Sequence, residues 1–170
     1  DIDRIASQAF LGSKGVFGVA MGVMFRYVFL FVVFGAFLEM SGATQFIIDF
    51  AQRMFGSFSG GPAMVSVAGA GLMGSLSGSA VANAVTTGTF TIPMMRSAGF
   101  KPTIAGGITA AAASGGALMP PVMGAGAYMM LEIIDNSSAG LPPITFLQIA
   151  KAALVPALLY YLSLLLIVYF

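Results

Sequence analysis

The chain has 170 residues, of which 58% are hydrophobic and 8% charged, with a formal net charge of +1. Soluble domains carry about 25% charged residues, so this is the composition of a membrane protein, and so small a net charge offers nucleic acid no electrostatic footprint. Cys and His are both absent, which removes disulfides, thiolate ligands and the commonest proton shuttle.

The opening stretch, "DIDRIASQAFLGSKG", is acidic first and lacks a compact apolar core with a cleavage site, so it does not read as a signal peptide. There is no initiator Met, and the final "YYLSLLLIVYF" is still inside an apolar run. The chain therefore reads as a piece of a longer polypeptide. Residues 1–43 are expected to form an N-terminal segment and a first scaffold helix, with a spanning stretch over 16–38 of the right length for a ~30 Å hydrocarbon layer. Arg26 interrupts that stretch. It either snorkels or pairs with a neighbouring helix, or it is a functional intramembrane charge.

Residues 44–56 have a different character. "TQFIIDFAQRMF" places Phe46, Ile47, Phe50, Ala51 and Met54 on one helical face and its polar residues elsewhere. A helix this short and two-faced is expected to lie in the membrane interface as an arm. "GSFSGGP" then ends it, because Gly and Pro disfavour continuation.

Residues 57–135 read as one half of a transport domain. No charge occurs from Met54 to Met95, a stretch too long for one span, and its centre is the polar run "GSLSGSAVANAVTTGTFTIP". This predicts a re-entrant helical hairpin over 62–95 with its tip at mid-membrane, where non-helical backbone survives only if protein buries it or water reaches it. "RSAGFKP" brings the chain back to the surface. Residues 103–134 are then predicted to be a discontinuous helix, since "SGGALMPP" sets two Gly and two Pro where a regular helix would lose hydrogen bonds. "NSSAGLPP" is a surface loop, and 144–170 is a last scaffold helix. Arg53, Arg96 and Lys101 put the hairpin's open end on the cytoplasmic side, with Glu132, Asp135 and loop 136–143 outside.

The two interruptions raise a chemical possibility. Ser77, Ser79, Asn83, Thr86 and Thr87 supply oxygens at the tip, and Ser114 with the backbone from Gly115 to Met119 supplies an opposite wall. Uncharged oxygen ligands suit a hard monovalent cation, and half-helix N-termini favour an anionic group. Gly78, Gly115 and Gly116 let the backbone approach closely. Packing is the competing explanation: Ser66, Ala70, Gly74, Gly78 and Ala82 recur every four residues, and any single Ser or Thr can bond back to its own helix. Two interruptions in one short chain are more than packing requires. Thr89, Thr91 and Tyr128 read as satisfied by nearby carbonyls, the Phe-rich run 25–37 as lipid or scaffold contact, and the twelve Met as core filler.

"GLMGSLSGSAVANAVTTGTFTIPMMRSAGF" followed by "GGITAAAASGGALMPPVMGAGAYMM" resembles the large membrane subunit of tripartite ATP-independent periplasmic (TRAP) transporters; "FVVFGAFLEMSGA" before and "PALLYYL" after also fit. The Asn-containing tip and "VTTGTFTIP" look most like the fused permeases that work with TAXI-type binding proteins. The resemblance implies an all-α integral membrane fold of the elevator type, with two inverted repeats. This chain would be the first, completed by a second repeat and small-subunit-like helices in the same polypeptide. It further implies a multi-pass protein among the lipids of a bacterial or archaeal inner membrane, and not an enzyme. The activity implied is sodium-coupled uptake of an organic acid anion delivered by a periplasmic substrate-binding protein. Apart from Na+ as coupling ion no cofactor is implied. The residues carried over for sodium are Ser77, Gly78, Ser79 and Asn83 at the tip and Ser114, Gly115, Gly116 and Met119 opposite, the last four partly through backbone oxygens. Ser79, Thr86, Thr87, Pro120 and Pro121 would lie nearest the substrate. In one respect the chain departs from the dicarboxylate branch, which commonly reads "SGSAVAD": Asn83 stands where that branch has Asp.

Rival readings are an intramembrane enzyme, a non-transporting structural bundle and a divalent-anion/sodium symporter of similar architecture that needs no binding protein. The enzyme reading lacks His for a Ser–His pair or a metal, and Asp1, Asp3, Asp49 and Asp135 all fall outside the expected spans.

Overall fold

The computed structural model describes Ser7, Phe10 and residues 18–25, 29–137 and 144–170. Arg26 and loop residues 138–143 lie outside the described residues, as do the side chains of Glu132 and Asp135. Among the described residues every regular element is a helix. A short α1, Val19–Val23, is followed by α2, Phe29–Met40, and α3, Ala43–Phe55. Then come α4, Gly61–Ser77; α5, Ala80–Ser97; α6, Pro102–Ser114; a 3-10 turn, Gly115–Ala117; α7, Ala125–Ser137; and α8, Phe146–Tyr169.

Each helix boundary has a local cause. α2 stops at Ser41 and Gly42, where Gly42 takes φ 86° and the Ser41 hydroxyl donates to the Leu38 carbonyl at 2.7 Å. The chain bends there by 70° into α3. Pro62 sits in the first turn of α4 and Pro102 in that of α6, where a missing N–H costs nothing. α8 opens on a capping box, with the Gln148 side chain accepting from the Thr145 N–H at 3.0 Å.

α4 is the centre of the packing and touches α3, α5, α6, α8 and the 3-10 turn. Its inner surface is small: Ala63, Val65, Ser66, Val67 and Ala70 are buried to 1% exposure or less. Small residues let neighbouring backbones approach, so contact area comes from close helices and not from long side chains. Val67, Ala70, Ala112 and Tyr161 form one core cluster; Ala63, Met95 and Ala105 form another toward the open end of the α4–α5 pair.

On α3 the buried face is Thr44, Ile47, Ile48 and Ala51. Phe46, Phe50 and Met54 point outward, and the Phe46 and Phe50 rings stack at 6.5 Å. The apolar side of α3 is thus wider than one contact. Its inner half meets α4 and its outer half is open. α8 is open in the same way, with only Ala150, Ala157 and Tyr161 buried. Among the described residues α8 is the one helix long and apolar enough to cross a membrane alone; residues 32–40 and α3 pass the same test as a bent pair.

Candidate functional site

α4 and α5 are separated by two residues, and both are spent on caps. Gly78 adopts φ 60° and its N–H donates to the Gly74 carbonyl at 2.9 Å, a left-handed C-cap that Gly adopts without a Cβ penalty. Ser79 is the N-cap of α5, its Oγ accepting from the Ala82 N–H at 3.3 Å. The Ser79 N–H in turn donates to Ser77 Oγ at 3.4 Å.

The second interruption is longer. After Ser114 the helix tightens into the 3-10 turn, and α-helix resumes only at Ala125. Between them lie the cis Pro120–Pro121 bond and Met123 at φ 51°. The Gly124 N–H donates to the Ala117 carbonyl at 2.7 Å, and the Val122 N–H donates to the Ser75 carbonyl at 3.3 Å. This last bond ties the interruption to the end of α4.

The two interruptions meet in the interior. Gly74 and Gly116 come so close that a Cβ on Gly74 would overlap the Gly116 Cα. A Cβ on Gly116 would sit 2.6 Å from Asn83 Nδ2. Asn83 is fully buried. Its Nδ2 donates to the Ala70 carbonyl at 2.8 Å, while its Oδ1 is buried with no hydrogen-bond partner. An unmet buried acceptor costs about 1–3 kcal/mol, and it is an oxygen a cation can use. A second group of oxygens lies at the seam: the carbonyls of Gly78 and Ala117 both stand 3.4 Å from the point where a Cβ on Gly124 would be.

The residues singled out from sequence fall in different places. Asn83, Gly115 and Gly116 are in the buried interior, and Thr87 joins them with its hydroxyl donating to the Asn83 carbonyl at 2.6 Å. Gly78 is buried against the Met123 carbonyl, and with Ser77 and Ser79 it lines a cavity of about 310 Å³ shared with Val122 and Met123. Met119 and Pro120 are half-buried, and Met119 packs on the core cluster around Tyr161. Thr86 lines a crevice beside α2 and α3, and its hydroxyl donates back to its own helix, to the Ala82 carbonyl at 2.8 Å and the Asn83 carbonyl at 3.4 Å. Ser114 and Pro121 are exposed; the Ser114 hydroxyl donates back to the Ala110 carbonyl at 2.8 Å.

Sequence reasoning assigned no role to Tyr160 and Tyr161. Their hydroxyls donate to the carbonyls of Ala111 and Ala112 at 2.6 and 3.0 Å. These carbonyls lie in the last turn of α6, where helical partners run out. Tyr160 also packs against Gly115 so closely that a Cβ there would clash with its ring. α8, read from sequence as a scaffold helix, is thereby hydrogen-bonded to the turn of α6 that leads into the interruption. The adjacent Tyr pair in "PALLYYL" was the available signal.

All of the chain, residues 1–170, matches the family described as "Tripartite ATP-independent periplasmic transporter, DctM component". Similar proteins include the sialic acid TRAP transporter permease protein SiaT of Haemophilus influenzae, 35% identical over 108 residues that make up 64% of this chain and 17% of that protein. The sialic acid TRAP transporter large permease protein SiaM of Vibrio cholerae is 33% identical over 140 residues, 82% of this chain and 30% of that protein. The 2,3-diketo-L-gulonate TRAP transporter large permease protein YiaN of Escherichia coli is 38% identical over 90 residues, 53% and 20% of the two chains. The chain therefore spans less than a third of the length of these relatives. No solved structure matches it significantly.

Proposed function

This chain belongs to the DctM component family of tripartite ATP-independent periplasmic transporters, and from that premise we propose that it is part of a membrane permease that takes up an organic acid anion. Relatives named for sialic acid, diketogulonate and C4-dicarboxylates support the substrate class. In this proposal the permease lies in the inner membrane and receives its substrate from a periplasmic binding protein. The rest of the polypeptide supplies a second, inverted repeat. The Asn at position 83 favours the fused, TAXI-associated type.

Sodium drives the uptake, and the observation that carries this reading is the orphaned Oδ1 of Asn83, a buried residue whose amide nitrogen packs against Gly116 where the two helix interruptions meet. A sodium ion there gives that oxygen the partner it lacks, and backbone carbonyls of the interruption complete an oxygen shell. α4, α5 and the interruption share bonds and near-contacts of backbone, so they move as one body past the arm in an elevator motion. The exposed apolar faces of α3 and α8 meet lipid or the rest of the chain.

The test is uptake by the complete permease in liposomes, with and without an inward sodium gradient and with and without its binding protein. Asn83→Ala and Ser79→Ala are expected to abolish sodium-coupled uptake while the purified proteins still elute as folded species. Sodium dependence unchanged in both variants would overturn the site. Uptake that needs sodium but no binding protein would move the chain to the binding-protein-independent symporters.

A further inference from the structure

The open end of the α4–α5 pair, far from the hairpin tip, carries charges that the proposed site does not use. Between positions 50 and 131 the sequence holds three basic residues, Arg53, Arg96 and Lys101, and no Asp or Glu. Arg53 stands in the last turn of α3, Arg96 in the last turn of α5 and Lys101 at the N-cap of α6; all three are exposed. A side-chain bond joins the first two helix ends: Gln52, next to Arg53, donates through Nε2 to Met94 Sδ at 3.1 Å. From Arg96 to Lys101 the chain makes a tight turn at Gly99, φ 93°, whose N–H donates to the Arg96 carbonyl at 3.0 Å. Asp49, the acid of α3, accepts from the Gln45 amide at 3.0 Å. The three cations therefore share one end of the molecule, with no acid beyond the last turns of α3 and α5 among the described residues.

Beside these charges the surface is apolar. Phe46, Phe50 and Arg53 fall at i, i+4 and i+7 of α3, on one helical face, and all are exposed. Phe50 and Met54 also form one wall of a groove of about 310 Å³ between α3, α4 and α8, with Ala68 and Leu72 on α4 and Leu165 on α8 as other walls. The one hydroxyl among its lining residues, on Tyr161, is already given to the Ala112 carbonyl. The groove thus offers a polar ligand nothing, and the cations beside it lack a counter-charge. A phospholipid supplies both complements in one molecule, an acyl chain and an anionic headgroup. Long Arg and Lys stems lie along apolar surface while their charges reach the headgroups.

We propose that this end of the molecule is a docking surface for anionic phospholipid: an acyl chain enters the groove beside Phe50 and Met54, and anionic headgroups gather on Arg53, Arg96 and Lys101. A lipid surface is continuous, so the three cations need not converge on one phosphate. The groove has walls from both the arm α3 and the hairpin helix α4. A lipid seated in it therefore favours the arrangement of arm and hairpin seen here, by its differential affinity for that arrangement. The inference rests on neither the sodium site nor the direction of uptake.

The experiment follows the melting temperature of the complete permease in a mild neutral detergent as lipid is added, which gives an apparent affinity. Short-chain phosphatidylglycerol is compared with phosphatidylcholine of the same acyl chains. The wild type is expected to prefer phosphatidylglycerol. Arg53→Gln should weaken that lipid about fivefold, and the triple variant Arg53→Gln, Arg96→Gln, Lys101→Gln about a hundredfold, erasing the preference. Leu72→Asn, at an exposed position on the groove wall, should weaken both lipids and keep their ratio. All four positions are exposed, so melting without lipid should stay as in the wild type. Equal binding of both lipids by the wild type, or a preference that survives in the triple variant, overturns the inference. Inorganic phosphate that displaces phosphatidylglycerol at equal concentration would make this a free-phosphate site and overturn it too. Unchanged affinity for both lipids in Leu72→Asn would mean that another part of the permease covers the groove, which overturns the seat of the acyl chain.

Discussion

At Gly78 the chain reverses within two residues and closes both helix ends with its own atoms, a left-handed Gly for α4 and a Ser cap for α5. From Gly115 to Gly124 it stays out of α-helix, and to turns closed by its own backbone, such as the Gly124 N–H to the Ala117 carbonyl, it adds a bond from the Val122 N–H to Ser75 of α4; Tyr160 and Tyr161 of α8 hold the carbonyls of Ala111 and Ala112 in the turn of α6 that leads into it. Both segments interrupt helices next to the same buried Asn83. One closes with hydrogen bonds to its own neighbours in sequence. The other adds contacts from α4 and α8 to its local turns. The first segment is thus anchored through its immediate neighbours, and the second also through groups distant in sequence.

This contrast can be broken at several points, in falling order of effect. Gly78→Ala would place a Cβ into the Met123 carbonyl at a positive φ, so it damages both segments at once. A loss of about 3 kcal/mol is expected, seen as failure to recover folded permease in mild detergent or as a large drop in melting temperature. Gly116→Ala, which meets Asn83 Nδ2 and the Gly74 Cα, should follow the same pattern. Near-wild-type melting in both would mean that the close approach of the two segments is not required.

Tyr161→Phe leaves the ring packed against Gly71 and removes only the bond to Ala112. It is expected to cost about 1–2 kcal/mol, and Tyr160→Phe somewhat less because its site is more open. The diagnostic measurement is hydrogen exchange. Protection should fall in residues 111–124 while 74–83 stays as in the wild type. Equal loss in both stretches would show that the interruptions are not separately anchored.

The smallest stability effect is expected at the exposed cap. Ser79→Ala removes one bond to the Ala82 N–H and should cost about 1 kcal/mol or less, measured by thermal melting. Its large expected effect on uptake beside that small cost is what separates a ligand from a cap. Equal losses in stability and transport would make Ser79 a cap alone.

The sequence carries the local half of this structure openly. Gly78 before Ser79 spells a C-cap and an N-cap in succession, and Gly115–Gly116 with Pro120–Pro121 spells a stretch that cannot stay helical. The all-helical class follows from apolar runs with no alternation. Less legible was which way a polar residue turns. Thr86 and Thr87 are neighbours and both hydroxyls bond back to their own helix, yet Thr87 is fully buried and Thr86 lines an open crevice. Ser114, counted among the oxygens of the opposite wall, is exposed and bonded to its own helix.

What the sequence by itself determined is where each helix can start and stop, since caps, Gly and Pro act through the few residues next to them. Composition also set the kind of surface, because apolar residues all around a helix leave no face for water. Tertiary structure alone decided which faces meet. It set Gly74 against Gly116, left Asn83 Oδ1 buried without a partner, and brought two tyrosines from α8 to carbonyls 49 residues away in sequence. Helical periodicity says which residues share a face, but not what lies opposite that face. That is decided by how closely small residues let neighbouring helices approach.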